Sequence, residues 1–180
     1  MFDKEKFKAL IHYAIARVED PKNLGAIKLN KILWYVDGNI FIRSGLSLTG
    51  ARYVKQPMGP VPKAMLPILQ EMQRDGLIRI DEVSYYGKTK KQYTSLVEPR
   101  TASFSSDHLE IINHVVDAIS KRHTGASISE ATHGNAWKLA EMGEEIPFHA
   151  AMIDDLADVS DEDAAWALRR MEAGDAQLVA

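Results

Sequence analysis

The sequence predicts a mainly α-helical fold of the α+β type, a compact domain of about six or seven helices with a small antiparallel β-hairpin. Three observations lead to this prediction. In several segments, apolar residues recur at intervals of three and four, the spacing of one buried helix face. Most of these segments begin near a capping residue and end near a glycine. One pair of runs rich in β-branched and aromatic residues flanks a short spacer that contains glycine.

Three helices are predicted in the first half of the chain. The first begins after Asp3, a good N-cap, and ends at "EDPKN". The second contains "KLNKILWYVDGNIFIRSG" and ends near Gly45, because glycine readily adopts the left-handed C-cap conformation. The third runs from about Lys63 to Asp75, with Pro67 in the first turn, where proline is tolerated. Between them "ARYVKQ" is a strand candidate, and "PMGPVP" cannot be helical because proline also restricts the residue before it.

The predicted β-hairpin spans about residues 77–97, with "LIRIDEVSYY" and "KQYTSLV" on either side of "GKTK". A basic cluster falls at its tip: Lys88, Lys90 and Lys91. Three helices followed by such a hairpin resemble a winged helix, in which basic residues at the tip contact DNA phosphates. The alternative is a solvated lysine-rich turn without a partner. The sequence leaves both interpretations open.

The second half of the chain is predicted to be helical. After the loop "EPRTASFSS", a helix starts at Ser105 or Ser106 and is closed by Gly125. The capping box Ser127–Glu130 predicts a further helix that continues to about Ala140. The segment "EEIPF" is expected to be extended, and a short helix is expected from Ala150.

The end of the chain is acidic and is predicted to form a separate element. A last helix is expected over Asp161 to Ala173, followed by a frayed tail. The predicted organisation is one domain over residues 1–155, with an acidic helix and tail over 156–180.

The second predicted helix is apolar on two sides. A helix of this kind is normally the central helix of its domain, and the alternative is that one side stays open for a partner. The first apolar stripe consists of Leu29, Ile32, Leu33, Val36 and Ile40, and the second of Ile27, Trp34 and Phe41.

Charge is unevenly distributed along the chain. Residues 1–100 hold 17 Lys and Arg against 10 Asp and Glu, a net charge of +7, and residues 101–180 hold 5 against 15, a net of −10. The two halves are expected either to attract each other or to face different partners.

No sequence motif indicates an enzyme, a metal site or a cofactor. The chain has no cysteine, no histidine pair at helical metal-ligand spacing, no serine nucleophile elbow and no glycine-rich phosphate loop. His133 and Trp137 are one turn apart and are interpreted as a structural pair. No secretory signal or membrane span is recognised, so a cytoplasmic protein without a small-molecule substrate is expected.

Three segments together resemble the SocA-like, or Panacea, antitoxin domain, and the resemblance covers roughly residues 5–155. They are "KLNKILWYVDG", "QPMGPVPKAM" and "THGNAWKLAEMGEEIPF". The residues that carry the resemblance are Lys28, Leu29, Lys31, Ile32, Leu33, Trp34 and Tyr35; Gly59, Pro60 and Val61; and Thr132, His133, Trp137, Gly143, Ile146 and Pro147. Trp34 stands where the family often has tyrosine, and neither the hairpin nor the acidic last helix has a recognised counterpart.

The resemblance implies an antitoxin, often prophage-associated, that binds and neutralises a toxin encoded beside it. Delivery of the toxin to a protease, a scaffold role, and binding of the antitoxin to its own promoter remain alternatives. The toxin is expected to contact the motif helix and the proline-rich turn, because these combine an apolar stripe, basic residues and an outward-facing methionine. The expected contact residues are Lys28, Lys31, Trp34, Tyr35, Gln56, Met58, Gly59, Pro60 and Val61. A structural role for Lys28 and Lys31, with their aliphatic stems over the core, is the main alternative.

Overall fold

The computed structural model describes residues 1–146, 148–149 and 151–152, and within this part of the chain it contains six α-helices and two antiparallel two-stranded sheets. The mainly α-helical, α+β prediction is confirmed. The predicted acidic helix and tail lie outside the described residues. The elements are α1 (Lys4–Arg17), α2 (Ala26–Ser44), β1 (Tyr53–Gln56), β2 (Gly59–Pro62), α3 (Met65–Arg74), β3 (Ile78–Tyr85), β4 (Lys88–Ser95), α4 (Ser106–Arg122), α5 (Gly125–Glu130) and α6 (Asn135–Leu139).

Helix α2 is the central helix, as its two apolar stripes predict. The first stripe is fully buried, and α1, α4, α5 and the β1–β2 hairpin surround the helix. In the second stripe Trp34 is buried, with its ring edge-on to Tyr53 at 4.9 Å and to Phe148 at 5.1 Å between centroids. The outer members of that stripe, Ile27 and Phe41, are half-buried.

The predicted ends of the first three helices agree with the structure to within two residues. Asp3 caps α1 by accepting a hydrogen bond from the backbone N–H of Lys6 at 2.9 Å. Gly45 ends α2 at φ 75° and donates its N–H to the carbonyl of Phe41 at 2.7 Å. Pro67 is the third residue of α3, where its missing N–H leaves no intrahelical bond unmade.

The proline-rich segment forms a strand, which its non-helical character alone does not predict. β2 pairs antiparallel with β1, with Val54 opposite Val61. The outer edge of β1 is also occupied, because the N–H of Lys55 bonds to the carbonyl of Glu144 at 2.8 Å and that of Ile146 to Tyr53 at 2.8 Å. The expected extended conformation of "EEIPF" is therefore confirmed as far as residue 146, but it was wrong for Phe148, which is helical.

The β3–β4 hairpin confirms the predicted hairpin, but the predicted turn was wrong. The turn consists of Tyr86 and Gly87 alone, with φ of 48° and 74°. Two consecutive positive φ values are typical of a type I′ turn, whose twist matches that of the flanking strands. As a result, Lys88 begins β4 and Lys90 lies within the strand instead of at the tip.

The predicted helix from Ser127 to about Ala140 was wrong, because the chain uses a different cap and then breaks. Thr124 caps α5 by accepting from the N–H of Ser127 at 3.1 Å, and the Ser127 hydroxyl accepts from the N–H of Thr124 at 3.1 Å. This box lies one turn before the predicted one and makes Gly125 the first residue of α5 instead of the end of α4. Gly134 then adopts an extended conformation, with ψ 179°, and separates α5 from α6.

Candidate functional site

The three motif segments, far apart in sequence, meet around the turn between β1 and β2. The Ser129 hydroxyl of α5 donates a hydrogen bond to the carbonyl of Met58 at 2.9 Å. The indole N–H of Trp137 in α6 donates to the carbonyl of Gln56 at 3.2 Å. Because both ends of the turn are tied to the second half of the chain, its conformation is fixed by tertiary contacts and not by its own sequence alone.

His133 and Trp137 contact each other as expected, although they do not share a helix. Their rings are stacked with centroids 3.7 Å apart and planes inclined by 10°. The Lys55 ammonium also lies over the indole, 4.3 Å from the ring centroid. It donates a hydrogen bond to the carbonyl of Ala140 at 2.9 Å. The pKa of His133 is below its usual value, first because burial disfavours the imidazolium and second because the charge of Lys31 opposes it.

Lys31 is the most unusual residue of the site, since its side chain is 1% exposed and its ammonium has no hydrogen-bond partner among the described residues. Burial lowers the pKa of Lys31 to about 7. The Nζ atom lies directly over Gly59, where a Cβ atom would overlap it and would also press on Thr132 Oγ1. Since Gly59 has φ 99°, both the space and the backbone conformation require glycine at this position.

A groove borders this site, and we call it the motif groove. It lies between the N-terminal half of α2, the β1–β2 hairpin and α3, with a volume of about 620 Å³. Its walls are mainly apolar, and two large hydrophobic residues that line it are exposed: Met58 (43%) and Leu66 (58%). Its charged lining consists of lysines, with no carboxylate among the described residues that form it: Lys31, Lys63 and Lys91.

The nine expected contact residues cluster in this region, but they differ in exposure. Met58 is exposed, while Lys28, Tyr35, Gln56 and Val61 are half-buried, and Lys31, Trp34, Gly59 and Pro60 are buried. The motif groove is lined by four of the nine: Lys31, Gln56, Met58 and Val61.

Lys28 and Tyr35 form links inside the molecule. The Lys28 ammonium donates to the carbonyl of Ser120 in α4 at 2.9 Å, and the Tyr35 hydroxyl donates to the carbonyl of Ala131 at 3.4 Å. These bonds connect α2 to the second half of the chain.

The segments that form this site match the model of a known protein family. The family model described as antitoxin SocA-like, Panacea domain, matches residues 29–138. The chain belongs to this family. No curated protein and no solved structure matches the chain.

The SocA-like Panacea match begins in α2 and ends in α6, so it includes the turn over Lys31 and the His133–Trp137 pair. Helix α1 precedes the matched residues, yet Phe7, Leu10 and Ile11 of α1 are fully buried in the same core. The matched residues therefore depend on α1 to close the core beside α2.

One buried polar cluster of the Panacea domain was missed by the sequence analysis. The Asp37 carboxylate accepts hydrogen bonds from the N–H of Thr49 at 2.9 Å, the hydroxyl of Thr49 at 2.6 Å and the hydroxyl of Tyr53 at 2.8 Å. Burial raises the pKa of Asp37, and the three bonds oppose that shift. The sequence contains one indication of this cluster. Asp37 lies next to the buried stripe of α2, and a buried acidic residue requires hydrogen-bond partners. The cluster fixes the loop after α2 and the start of β1.

The three lysines predicted at the hairpin tip differ in position and contacts. Lys90 donates to the carbonyl of Lys22 at 2.6 Å and lies 4.8 Å from the ring centroid of Tyr85, so it ties the hairpin to the segment before α2. Lys88 and Lys91 are exposed, and Tyr86 in the turn is 91% exposed.

Within residues 1–146, 148–149 and 151–152, no three His, Cys, Asp or Glu side chains are grouped to hold a metal ion. No helix in this part of the chain is long and apolar enough to cross a bilayer.

Proposed function

We propose that the chain is an antitoxin that neutralises a cognate toxin by direct, stoichiometric protein–protein binding, and that it is not an enzyme. Membership of the SocA-like Panacea family supports a role in a toxin–antitoxin system. The observation that carries the binding proposal is that residues of the family's first two motif segments line one mainly apolar groove, in which Met58 and the neighbouring Leu66 are exposed. Contiguous exposed apolar surface of this kind is typical of interaction sites.

The toxin contacts are proposed to centre on the motif groove. Met58 and Val61 provide apolar contact, and Gln56 lies beside them. Trp34, Gly59 and Pro60 are buried and do not line the groove, and Lys28 and Tyr35 hold α2 in place. The proposed contact surface is thus smaller than the nine residues expected from the sequence.

The environment of His133 supports a non-enzymatic role. One face of its imidazole is covered by Trp137, and its Nε2 atom is buried without a hydrogen-bond partner among the described residues. A general base needs access to the proton it removes, within hydrogen-bond reach of a substrate. This geometry favours a histidine that packs the site.

Co-expression with the adjacent reading frame tests the proposed function. The product of that frame should arrest growth when expressed alone, and this chain should restore growth. The two purified proteins should form a complex of fixed stoichiometry, measured by size-exclusion chromatography with light scattering. Absence of toxicity, or rescue without a complex, would contradict the proposal. A fall in toxin level during a pulse-chase would instead indicate delivery to a protease.

A second candidate function is binding to the gene's own promoter through the β3–β4 turn. Its support is the exposure of Tyr86 in the turn beside the exposed Lys88. The double variant Tyr86→Ala, Lys88→Glu should abolish promoter binding and leave toxin neutralisation intact, since neither residue lines the motif groove. Wild-type binding should weaken steeply with salt, because the contacts are to phosphates. No mobility shift of promoter DNA by the wild type at low salt would reject this candidate.

A further inference from the structure

We infer that the motif groove accepts an amphipathic α-helix of the toxin, whose apolar face is bordered by carboxylates, and that one of these carboxylates pairs with Lys31. This inference rests on the proposed function and names the chemistry of the partner.

The charge of the groove determines the charge of its occupant. Every charged side chain that lines it is a lysine, and Lys63 and Lys91 are exposed at its border. A partner with acidic residues around an apolar face would bury the apolar lining and complement these lysines. A partner with basic residues in the same places would be repelled.

Lys31 provides an independent indication of an anionic partner. A buried ammonium without a counter-charge is unfavourable, and proteins normally pair such groups. The groups adjacent to it, Gly59, Thr132 and His133, carry no negative charge. Because Lys31 also lines the groove, rotation of its flexible four-carbon side chain is expected to bring the ammonium to a carboxylate bound there.

The backbone of β2 argues against an extended segment as the occupant. The N–H of Lys63 bonds to the carbonyl of Arg52, and hydrogen-bonded pairs alternate along an antiparallel ladder. At positions 60 and 62 the backbone N–H groups would therefore point away from β1, towards the free edge of β2. Both positions are occupied by proline, which has no N–H. An added strand would find no N–H donor at either position, so β-strand addition is blocked at this edge. A helix needs no backbone bonds from its receptor and fits an apolar groove through side chains alone.

The test uses the purified product of the adjacent reading frame and variants of the full chain. Met58→Glu and Leu66→Glu should each weaken binding at least tenfold in isothermal titration calorimetry, because both place a charge in the apolar groove. Leu46→Glu is the matched control, since Leu46 is 75% exposed just beyond the C-terminal end of α2, outside the groove. It should bind as the wild type does.

Lys31→Met separates an anion-pairing role from a structural role. Methionine is also unbranched and only one heavy atom shorter than lysine, and it removes the buried charge, so the melting temperature should stay the same or rise while toxin affinity falls at least tenfold. A purely structural Lys31 predicts the opposite: a lower melting temperature with unchanged affinity.

Hydrogen exchange of the toxin, free and bound, identifies the segment that enters the groove. The protected segment should be helical, with acidic residues beside its apolar positions. A protected β-strand, a protected segment bordered by lysines, or wild-type affinity of Met58→Glu and Leu66→Glu would overturn the inference while leaving the proposed function intact. If the wild type forms no complex at all, the proposed function fails and the inference fails with it.

Discussion

The imidazole of His133 lies flat on the indole of Trp137, with ring centroids 3.7 Å apart and planes inclined by 10°. Trp137 in turn holds the carbonyl of Gln56, the residue that ends β1, so the stacked pair fixes one side of the turn that carries Met58. We therefore expect the stacked pair to influence toxin binding by fixing the shape of the motif groove.

Replacement of the two stacked residues should affect stability and neutralisation differently. Trp137→Ala is expected to lower the free energy of unfolding by about 3 kcal/mol, the lower end of the range for a large aromatic residue, because the indole is only half-buried. His133→Gln should leave neutralisation largely intact. Urea denaturation and a toxin-rescue growth assay measure the two effects. A stable His133→Gln protein that no longer neutralises would contradict the non-enzymatic proposal.

Because of Lys31, the free energy of unfolding should increase as the pH rises above about 7. Burial lowers its pKa from 10.5 to about 7, so between these values the unfolded chain binds a proton that the folded chain has lost. Stability rises with pH wherever the unfolded state binds more protons, here by at most about 1.4 kcal/mol per pH unit. Urea denaturation at pH 7, 8 and 9 should show the rise in the wild type, and Lys31→Met should remove most of it, since burial also lowers the pKa of Lys28 and Lys90. A Lys31→Met protein with the same pH slope as the wild type would contradict the assignment.

The course of α2 could be predicted from sequence because its determinants are local. The spacing of its apolar residues identifies a helix buried on two sides, and Gly45 marks its end without reference to the rest of the chain. The same holds for Asp3, whose side chain caps the turn that immediately follows it. For these elements, residues within one or two turns decide the structure.

The burial of Lys31 could not be predicted, because it depends on residues distant in sequence. A lysine between two apolar stripes is expected to reach solvent, but Gly59 and Thr132 close over it. Similarly, the prolines of "PMGPVP" predict only that the segment is not helical. The segment forms β2 because the register places both strand prolines at positions that make no hydrogen bond to β1. The α5 cap was misplaced since two overlapping Ser and Thr boxes were available and the structure uses the one at Thr124.

Lys28 should behave differently from Lys31, although only two residues separate them. Lys28→Met removes the hydrogen bond from its ammonium to the carbonyl of Ser120 and should lower the free energy of unfolding by about 1 kcal/mol. Lys28 is absent from the lining of the motif groove, so toxin affinity should change less than twofold. Denaturation and calorimetry on the two single variants provide the comparison. A large loss of affinity in Lys28→Met would extend the contact surface along α2 towards α4.

Gly59 and Lys31 should be energetically coupled. Gly59→Ala adds a Cβ atom that overlaps Lys31 Nζ at a positive φ and is expected to cost at least about 2 kcal/mol of stability. Combined with Lys31→Ala, the cost of Gly59→Ala should fall by about 1 kcal/mol, because the overlap with Nζ is removed while the overlap with Thr132 Oγ1 and the backbone strain remain. Gly76→Ala is the matched control: φ is 69° and nothing lies within 4 Å of the added Cβ, so its cost should not change when Lys31 is replaced. Additive effects of Gly59→Ala and Lys31→Ala in a double-mutant cycle would show that the ammonium does not lie over the glycine.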